Sequence, residues 1–215
     1  MRRTVACALA RAGVVRGVLV LAAVSGGKDS VCMLSILRTL SLETGFSLAA
    51  AHVEHGIRQN AHDDALLVRS LCENWGVPFF SRRVDAPAFA KENGLSLEDA
   101  ARRLRYAALR DMAKECGADL IAAAHHADDQ AETVLMHLLR GAGGKGLSGI
   151  APRTAFGRGL LLRPLLELSK QELEAVLLEK QEAEATIASL REGAYKELEE
   201  KEAELRKKRS ELKKK

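Results

Sequence analysis

Aromatic side chains make up 4% of the 215 residues, so a core built from this chain is packed mainly from aliphatic side chains within a hydrophobic share of 47%. Cysteine is scarce and scattered. Cys7, Cys32, Cys72 and Cys116 form no C-x-x-C pair, which argues against a zinc ribbon or an iron–sulfur site. Small buried thiols in a reducing compartment are the expected reading. No segment reaches the roughly 20 uninterrupted apolar residues of a membrane span. Arg2-Arg3 ahead of Val5–Leu21 has the outline of a signal peptide, but Arg11 and Arg16 interrupt the run. A short helix over about Thr4–Ala12, then a strand, is expected there instead.

The most informative stretch is Val18–Val24 followed at once by Ser25-Gly26-Gly27-Lys28-Asp29-Ser30. An apolar run ends in two glycines, a lysine and two hydroxyls. A helical pattern (Val31, Leu34, Leu37, Leu40) then begins. Buried strand, tight loop, helix N-terminus is the order that suits an anion, because a helix N-terminus offers unpaired N–H groups and about half a positive charge. Only one residue separates Gly26 from Lys28, so a Walker A loop does not fit.

The remaining pattern alternates. Apolar runs at Phe46–Val53, Val77–Val84, Leu120–Ala124 and Leu160–Pro164 predict further strands. Helical periodicity covers Asp29–Leu42, Asp63–Trp75, Ser96–Cys116 (Ser96 and Asp99 resembling a capping box) and Asp128–Leu139. This predicts an α/β fold: a doubly wound parallel sheet with helices on both faces. Ligands bind at the carboxyl ends of such strands. The polar clusters Ser25–Ser30, His52–Arg58 and His125–Glu132 all follow strands, so one shared site is expected.

Composition breaks after the glycine-rich loop Gly141–Gly146. From Ser169 on there is no proline, Gly193 is the single glycine, and Glu, Lys, Ala and Leu dominate. Residues 171–215 carry 11 basic and 12 acidic side chains, leaving 22 and 17 on the rest. The preceding part therefore carries a net +5 and the tail −1, which fits an anionic substrate at the preceding part. Two domains are expected: 1–168, and a charged helical tail over 169–215. Leu198, Leu205 and Leu212 form a weak heptad seam in that tail, consistent with a solvated helix, a coiled-coil or homo-oligomer arm, a basic end (Arg206–Arg209, Lys213–Lys215) on nucleic-acid phosphates, or a non-native extension.

The loop Ser25–Ser30 resembles the S-G-G-x-D-S pyrophosphate loop of the ATP pyrophosphatases. Four later segments narrow the resemblance to the bacterial tRNA(Ile)-lysidine synthases. They are His52-Val53-Glu54-His55-Gly56-Ile57-Arg58, then Glu98-x-x-Ala101-Arg102-x-x-Arg105-Tyr106, then His125-His126-Ala127-Asp128-Asp129-Gln130-Ala131-Glu132-Thr133, and last Leu138-Leu139-Arg140-Gly141 with Gly146–Ile150. The resemblance implies an adenine nucleotide alpha hydrolase-like, Rossmann-like fold and a cytoplasmic enzyme. It implies that ATP adenylates C2 of the wobble cytidine of a tRNA(Ile) with a CAU anticodon, and that free L-lysine then displaces AMP.

The same resemblance assigns roles. Ser25, Gly26, Gly27, Lys28, Asp29 and Ser30, with His52 and Glu54, would hold ATP. Lys28 adds charge or is merely solvated. Asp29 suits Mg²⁺, which takes carboxylate oxygens. Arg58, Glu98, Arg102 and His126 would face the substrate. Asp29, Arg105, Asp129 and Glu132 would be catalytic. Arg102 and Arg105 share a helix face and either clamps a phosphate. Asp129 and Glu132 also share a face, to orient the cytosine, bind metal or take a proton from the lysine amine. His125 and His126 are read as hydrogen-bonding residues, with metal ligation beside Asp129 as the alternative. Glu54 stands where the family has Asp, so its carboxylate reaches one methylene further. The D-x-[ST]-N segment and the C-terminal tRNA-binding domains of the family have no counterpart in residues 179–215.

Two other readings remain. A related tRNA 2-thiolation enzyme is disfavoured by the absence of C-x-x-C. A nucleotide-binding remnant with a helical oligomerisation arm predicts ATP binding without pyrophosphate release.

Overall fold

The structure is a computed structural model that describes residues 1–57, 61–118, 120–141 and 146–178. The chain divides into two compact units, Met1–Glu174 and Ala175–Lys215. The expectations for Arg58, for residues 142–145 of the glycine-rich loop and for the tail beyond residue 178 lie outside the described residues. Among the described residues no helix is long and apolar enough to cross a membrane.

The first unit is ordered α1 (Arg2–Arg11), β1 (Leu19–Ala23), α2 (Lys28–Thr44), β2 (Ser47–Glu54), α3 (Ala61–Trp75), β3 (Phe79–Arg83), α4 (Ala86–Asn93), α5 (Leu97–Cys116), β4 (Leu120–Ala123), α6 (Ala127–Leu139), β5 (Arg153–Phe156) and β6 (Gly159–Leu162). A further helix opens at 170. The sheet runs β3-β2-β1-β4-β6-β5. All pairings are parallel except the β5–β6 hairpin.

β1 lies between β2 and β4 and is covered on both faces, so it reads as an unbroken apolar run rather than an alternation. Leu21, Ala49, Ala51, Val53, Ile121 and Ala123 project to one face, where Ala108, Leu109, Met112 and Ala113 of α5 meet them. The intervening Val20, Ala22, Ala50 and Ala122 are fully buried on the other face, where α2 packs on β1 and β2. Truncating fully buried Leu21 to alanine removes about 3 kcal/mol of stability, counting transfer and cavity together. Ser96 starts α5 as expected: its Oγ accepts from Asp99 N at 3.1 Å and donates to the Asp99 carboxylate at 2.9 Å.

Two elements carried no usable sequence signal. α4 spans eight residues, too few for a clear helical period; Asp85 caps it by accepting from Ala88 N at 2.9 Å, with Pro87 in its first turn. β5 is a four-residue edge strand beginning Arg-Thr, which pairs back onto β6. The last strand ends at Leu162, short of the expected Pro164, where a strand amide would be missing.

Chain order fixes where a ligand must go. From β1 the sheet is built outward through β2 and β3, and then resumes on the opposite side of β1 with β4. The connections leaving β1 and β4 part there, opening a crevice at the carboxyl ends of the strands.

Candidate nucleotide and RNA site

A cleft of ≈ 530 Å³ occupies that crevice. It gathers Ser25, Asp29 and Ser30 after β1, His52, Glu54 and His55 at the end of β2, and His125, His126 and Asp129 after β4. Arg105, Tyr106 and Leu109 line it from α5, and Asp64 from α3. The three polar clusters that follow strands in the sequence thus meet in one place.

The loop after β1 is braced by its own hydroxyls. Ser30 Oγ donates to Gly27 O at 2.8 Å and accepts from Ser25 N at 3.1 Å, and the Oγ atoms of Ser25 and Ser30 lie 3.2 Å apart. Gly27 N donates to Ser25 Oγ at 3.4 Å. Gly26 has φ +91°, in the region that favours glycine, and a Cβ there would stand 2.9 Å from Asp64 Cβ. Glycine is required by conformation and by the approach of α3 at once. No side chain caps α2, so its first-turn N–H groups are open to an anion.

Asp29, in the first turn of α2, has one buried carboxylate oxygen, Oδ1, with no hydrogen-bond partner. Its other oxygen is 3.6 Å from His126 Nε2. A buried carboxylate oxygen without a donor suits a hard cation. Among the described residues no group of three or more His, Cys, Asp or Glu side chains is arranged to hold a metal. Such a carboxylate oxygen is of the kind Mg²⁺ takes, since Mg²⁺ is commonly held by one or two carboxylates plus substrate phosphates and water.

Of the cleft histidines, the His52 ring is held by backbone, while the buried Nδ1 atoms of His55, His125 and His126 have no hydrogen-bond partner. His52 Nδ1 is 2.8 Å from Val24 O; a carbonyl only accepts, so Nδ1 donates there. His126 N donates to Asp129 Oδ2 at 2.8 Å, which pins the Asp129 carboxylate at the start of α6. Burial holds His125 down to a pKa of about 4, helped by the Arg163, Arg105 and Arg102 guanidinium groups and opposed by Asp129. His55 is also lowered, first by burial, then by Arg105 and His52. His125 is therefore a neutral imidazole near pH 7 rather than a cation.

Not every expected site residue lines the cleft. Ser25, Asp29, Ser30, His52, Glu54, Arg105, His126 and Asp129 do. Gly26 and Gly27 shape the loop, and Lys28 is exposed beside it. Glu132 is exposed on α6, one turn beyond Asp129, and Glu98 is exposed near the start of α5; neither lines the cleft. Arg102 lines a neighbouring cavity instead. Asp64 was missed, because its place follows from α3 packing on the glycine loop, a tertiary contact with no local signal.

The PP-loop domain profile matches residues 8–184. The tRNA(Ile)-lysidine synthase of Geobacter sulfurreducens is 50% identical over 159 residues, covering 74% of this chain and 33% of that protein. That of Dehalococcoides mccartyi is 47% identical over 161 residues, covering 72% and 34%. The chain thus spans about a third of the length of these relatives. Among solved structures, the U34-tRNA thiolase NcsA from Methanococcus maripaludis, with its 4Fe–4S cluster, shares the fold at a TM-score of 0.67 and 24% identity, over 84% of this chain and 62% of that one. NMN synthetase from Francisella tularensis shares it at 0.52 and 17%, over 80% and 67%.

Proposed function

We propose, proceeding from the fact that the chain belongs to the PP-loop domain family, that it carries out ATP-dependent lysidine formation on tRNA(Ile) with a CAU anticodon in the cytoplasm. The observation that carries this reading is the convergence of the loop, His52–Glu54, Arg105 and His125–Asp129 on one cleft at the sheet's switch point. The names of the relatives supply the reaction class.

The first half-reaction joins O2 of the cytidine to the α-phosphorus of ATP and breaks the bond to pyrophosphate. The backbone of Ser25–Ser30 and the N-terminus of α2 hold the departing pyrophosphate, with Arg105 beside the reacting phosphate as a planar cation. Asp29 would hold Mg²⁺, which supplies charge neutralisation at the phosphates. In the second half-reaction the lysine amine attacks C2, the C2–O2 bond breaks, and AMP leaves carrying that oxygen. The amine must lose a proton to attack. Asp129, fixed by the His126 amide, lies in the cleft to orient the base. Glu132, one turn further along α6 and exposed, takes the amine proton from the solvent side.

Thiolation has no support from the cysteines. Cys32 and Cys72 are buried, Cys7 is exposed, Cys116 is half-buried, and none lines the cleft. Burial raises the Cys72 thiol to about 11, with Glu73 adding to the shift.

The test is pyrophosphate release from ATP with tRNA(Ile) bearing CAU, with and without lysine, followed by mass analysis of the anticodon nucleoside. Lysine-dependent lysidine is expected. ATP binding without pyrophosphate release or lysidine would leave a nucleotide-binding remnant. Glu132→Gln separates the halves: pyrophosphate release stays within about twofold, while lysidine formation falls by roughly 10²-fold, the scale of losing a general base. Equal loss in both halves would remove Glu132 from the amine step.

A further inference from the structure

Behind Tyr106 lies a second cavity of ≈ 700 Å³, and Tyr106 lines both. Four arginines line it, Arg102, Arg103, Arg110 and Arg163, and no carboxylate does. None of the four is paired with a carboxylate among the described residues. Arg163 is 9% exposed. Its Nη1 donates to Ala151 O at 2.7 Å and to Thr154 Oγ1 at 3.4 Å, while its buried Nε has no partner. A guanidinium buried to that degree without a counter-ion leaves charge and a donor unsatisfied, which an anionic ligand would meet.

The apolar part of the cavity is aromatic. Tyr106 and Phe156 meet edge-to-face with centroids 5.5 Å apart. The Arg102 and Arg105 guanidinium carbons stand 5.6 and 5.3 Å from the Tyr106 ring centroid, and that of Arg110 stands 5.5 Å from Phe156. Arginines interleaved with aromatic faces, all of one charge sign, are the equipment for an unstacked nucleotide: a ring to stack on and cations for its phosphate.

We propose that this second cavity is a subsite for a nucleotide of the single-stranded RNA adjoining the reacting cytidine, with its base against Tyr106 and Phe156 and its phosphate among Arg102, Arg110 and Arg163. The inference rests on the lysidine reading, since it takes the strand from the reacting cleft past Tyr106. It assigns RNA contacts to the face formed by α5 and the β5–β6 hairpin, elements that hold no other part of the cleft except Arg105, Tyr106 and Leu109.

The probe is a fluorescently labelled anticodon stem–loop of tRNA(Ile) with CAU, titrated against the full chain, with ATP binding measured in parallel by calorimetry. Arg110→Gln and Phe156→Leu are the informative variants, because Arg110 is exposed and leucine keeps Phe156 apolar. Arg69→Gln, an exposed arginine over Phe79 on the far side of the sheet, is the charge-matched control. Each of the two variants is expected to weaken stem–loop binding about 5- to 20-fold. Arg110→Gln lowers the salt slope by about one, and ATP affinity and the control are unchanged. Unchanged stem–loop affinity in both variants, or an equal loss in Arg69→Gln, overturns the subsite and leaves the lysidine reading standing. Wild-type protein that binds ATP but no stem–loop overturns both.

Discussion

The two cavities that meet at Tyr106 differ in the sign of what lines them. The cleft at the switch point mixes acids (Asp29, Glu54, Asp64, Asp129) with histidines and Arg105. The cavity behind it has arginines and aromatic rings and no acid. Bond-making on phosphate needs groups of both signs, to hold a cation, accept a proton and neutralise a leaving group. Holding an RNA strand needs only cations and flat surfaces. On the proposed reading, chemistry falls to the loops after β1, β2 and β4, and grip to α5 and the β5–β6 hairpin.

The largest effect expected is in the cleft. Asp29→Asn keeps the shape of the side chain and removes its charge. Pyrophosphate release should fall by roughly 10³-fold, the scale of losing a charge-stabilising group at a reacting phosphate, with the circular dichroism spectrum unchanged. Stem–loop affinity should stay within about twofold. A matching loss of RNA binding would break the division, since Asp29 would then serve both functions.

Arg105 and Arg102 sharpen the same comparison from one helix. They are three residues apart and both approach the Tyr106 ring, yet Arg105 lines the cleft and Arg102 the cavity behind. Replacing each by lysine keeps the charge and removes the planar fork. Arg105→Lys should lower kcat about 10- to 100-fold with little change in KM for RNA. Arg102→Lys should raise KM for RNA a few-fold and leave kcat alone. The reverse pattern in steady-state kinetics would exchange their roles.

That split also separates what is legible in the sequence from what is not. The strand–loop–helix at Val18–Val24 and Ser25–Ser30, the parallel sheet and the meeting of three post-strand clusters follow from local patterns, because apolar runs, glycines and helix periods are local. The partition of Arg102 from Arg105 does not, since one turn of α5 faces two cavities and only the packing of Tyr106 against Phe156 of the hairpin decides which is which. Asp64 and Arg163 escaped for the same reason. Each is placed by an element distant in the chain: α3 over the Gly26 loop for one, and the backbone of the segment leading into β5 for the other.

Gly26 gives a smaller effect, felt in stability as well as binding. Gly26→Ala puts a Cβ at positive φ and 2.9 Å from Asp64 Cβ. Strain of this kind amounts to about 2 kcal/mol, to be read as a lowered Tm. Because the loop would open away from α3, ATP affinity should fall while stem–loop binding persists. Asp64→Gly combined with Gly26→Ala, measured against Asp64→Gly alone, should cost less than Gly26→Ala in the wild-type background, since the clashing atoms, Asp64 Cβ included, are then gone, whereas the φ strain remains. An equal cost in both backgrounds would mean that conformation alone requires the glycine.

A pH-dependent effect belongs to His125, and its sign follows from linkage. Its folded pKa of about 4 lies below the usual histidine value of 6.5. Between those two values the unfolded chain binds a proton that the folded chain does not, so stability rises with pH across the window. The protein should therefore be at full stability, as far as this group is concerned, above about pH 6.5, and lose stability progressively on acidification towards pH 4. His55, lowered in the same direction, adds to the slope. His125→Gln, which cannot take up a proton, should flatten the dependence of the urea midpoint on pH between 6.5 and 4 relative to wild type. The arginines of the cavity behind help to depress His125, so RNA phosphate bound among them should partly neutralise that field and shift the wild-type slope upward in pH. An unchanged slope in the presence of the stem–loop would separate the two cavities electrostatically as well as chemically, leaving Tyr106 a wall between them and nothing more.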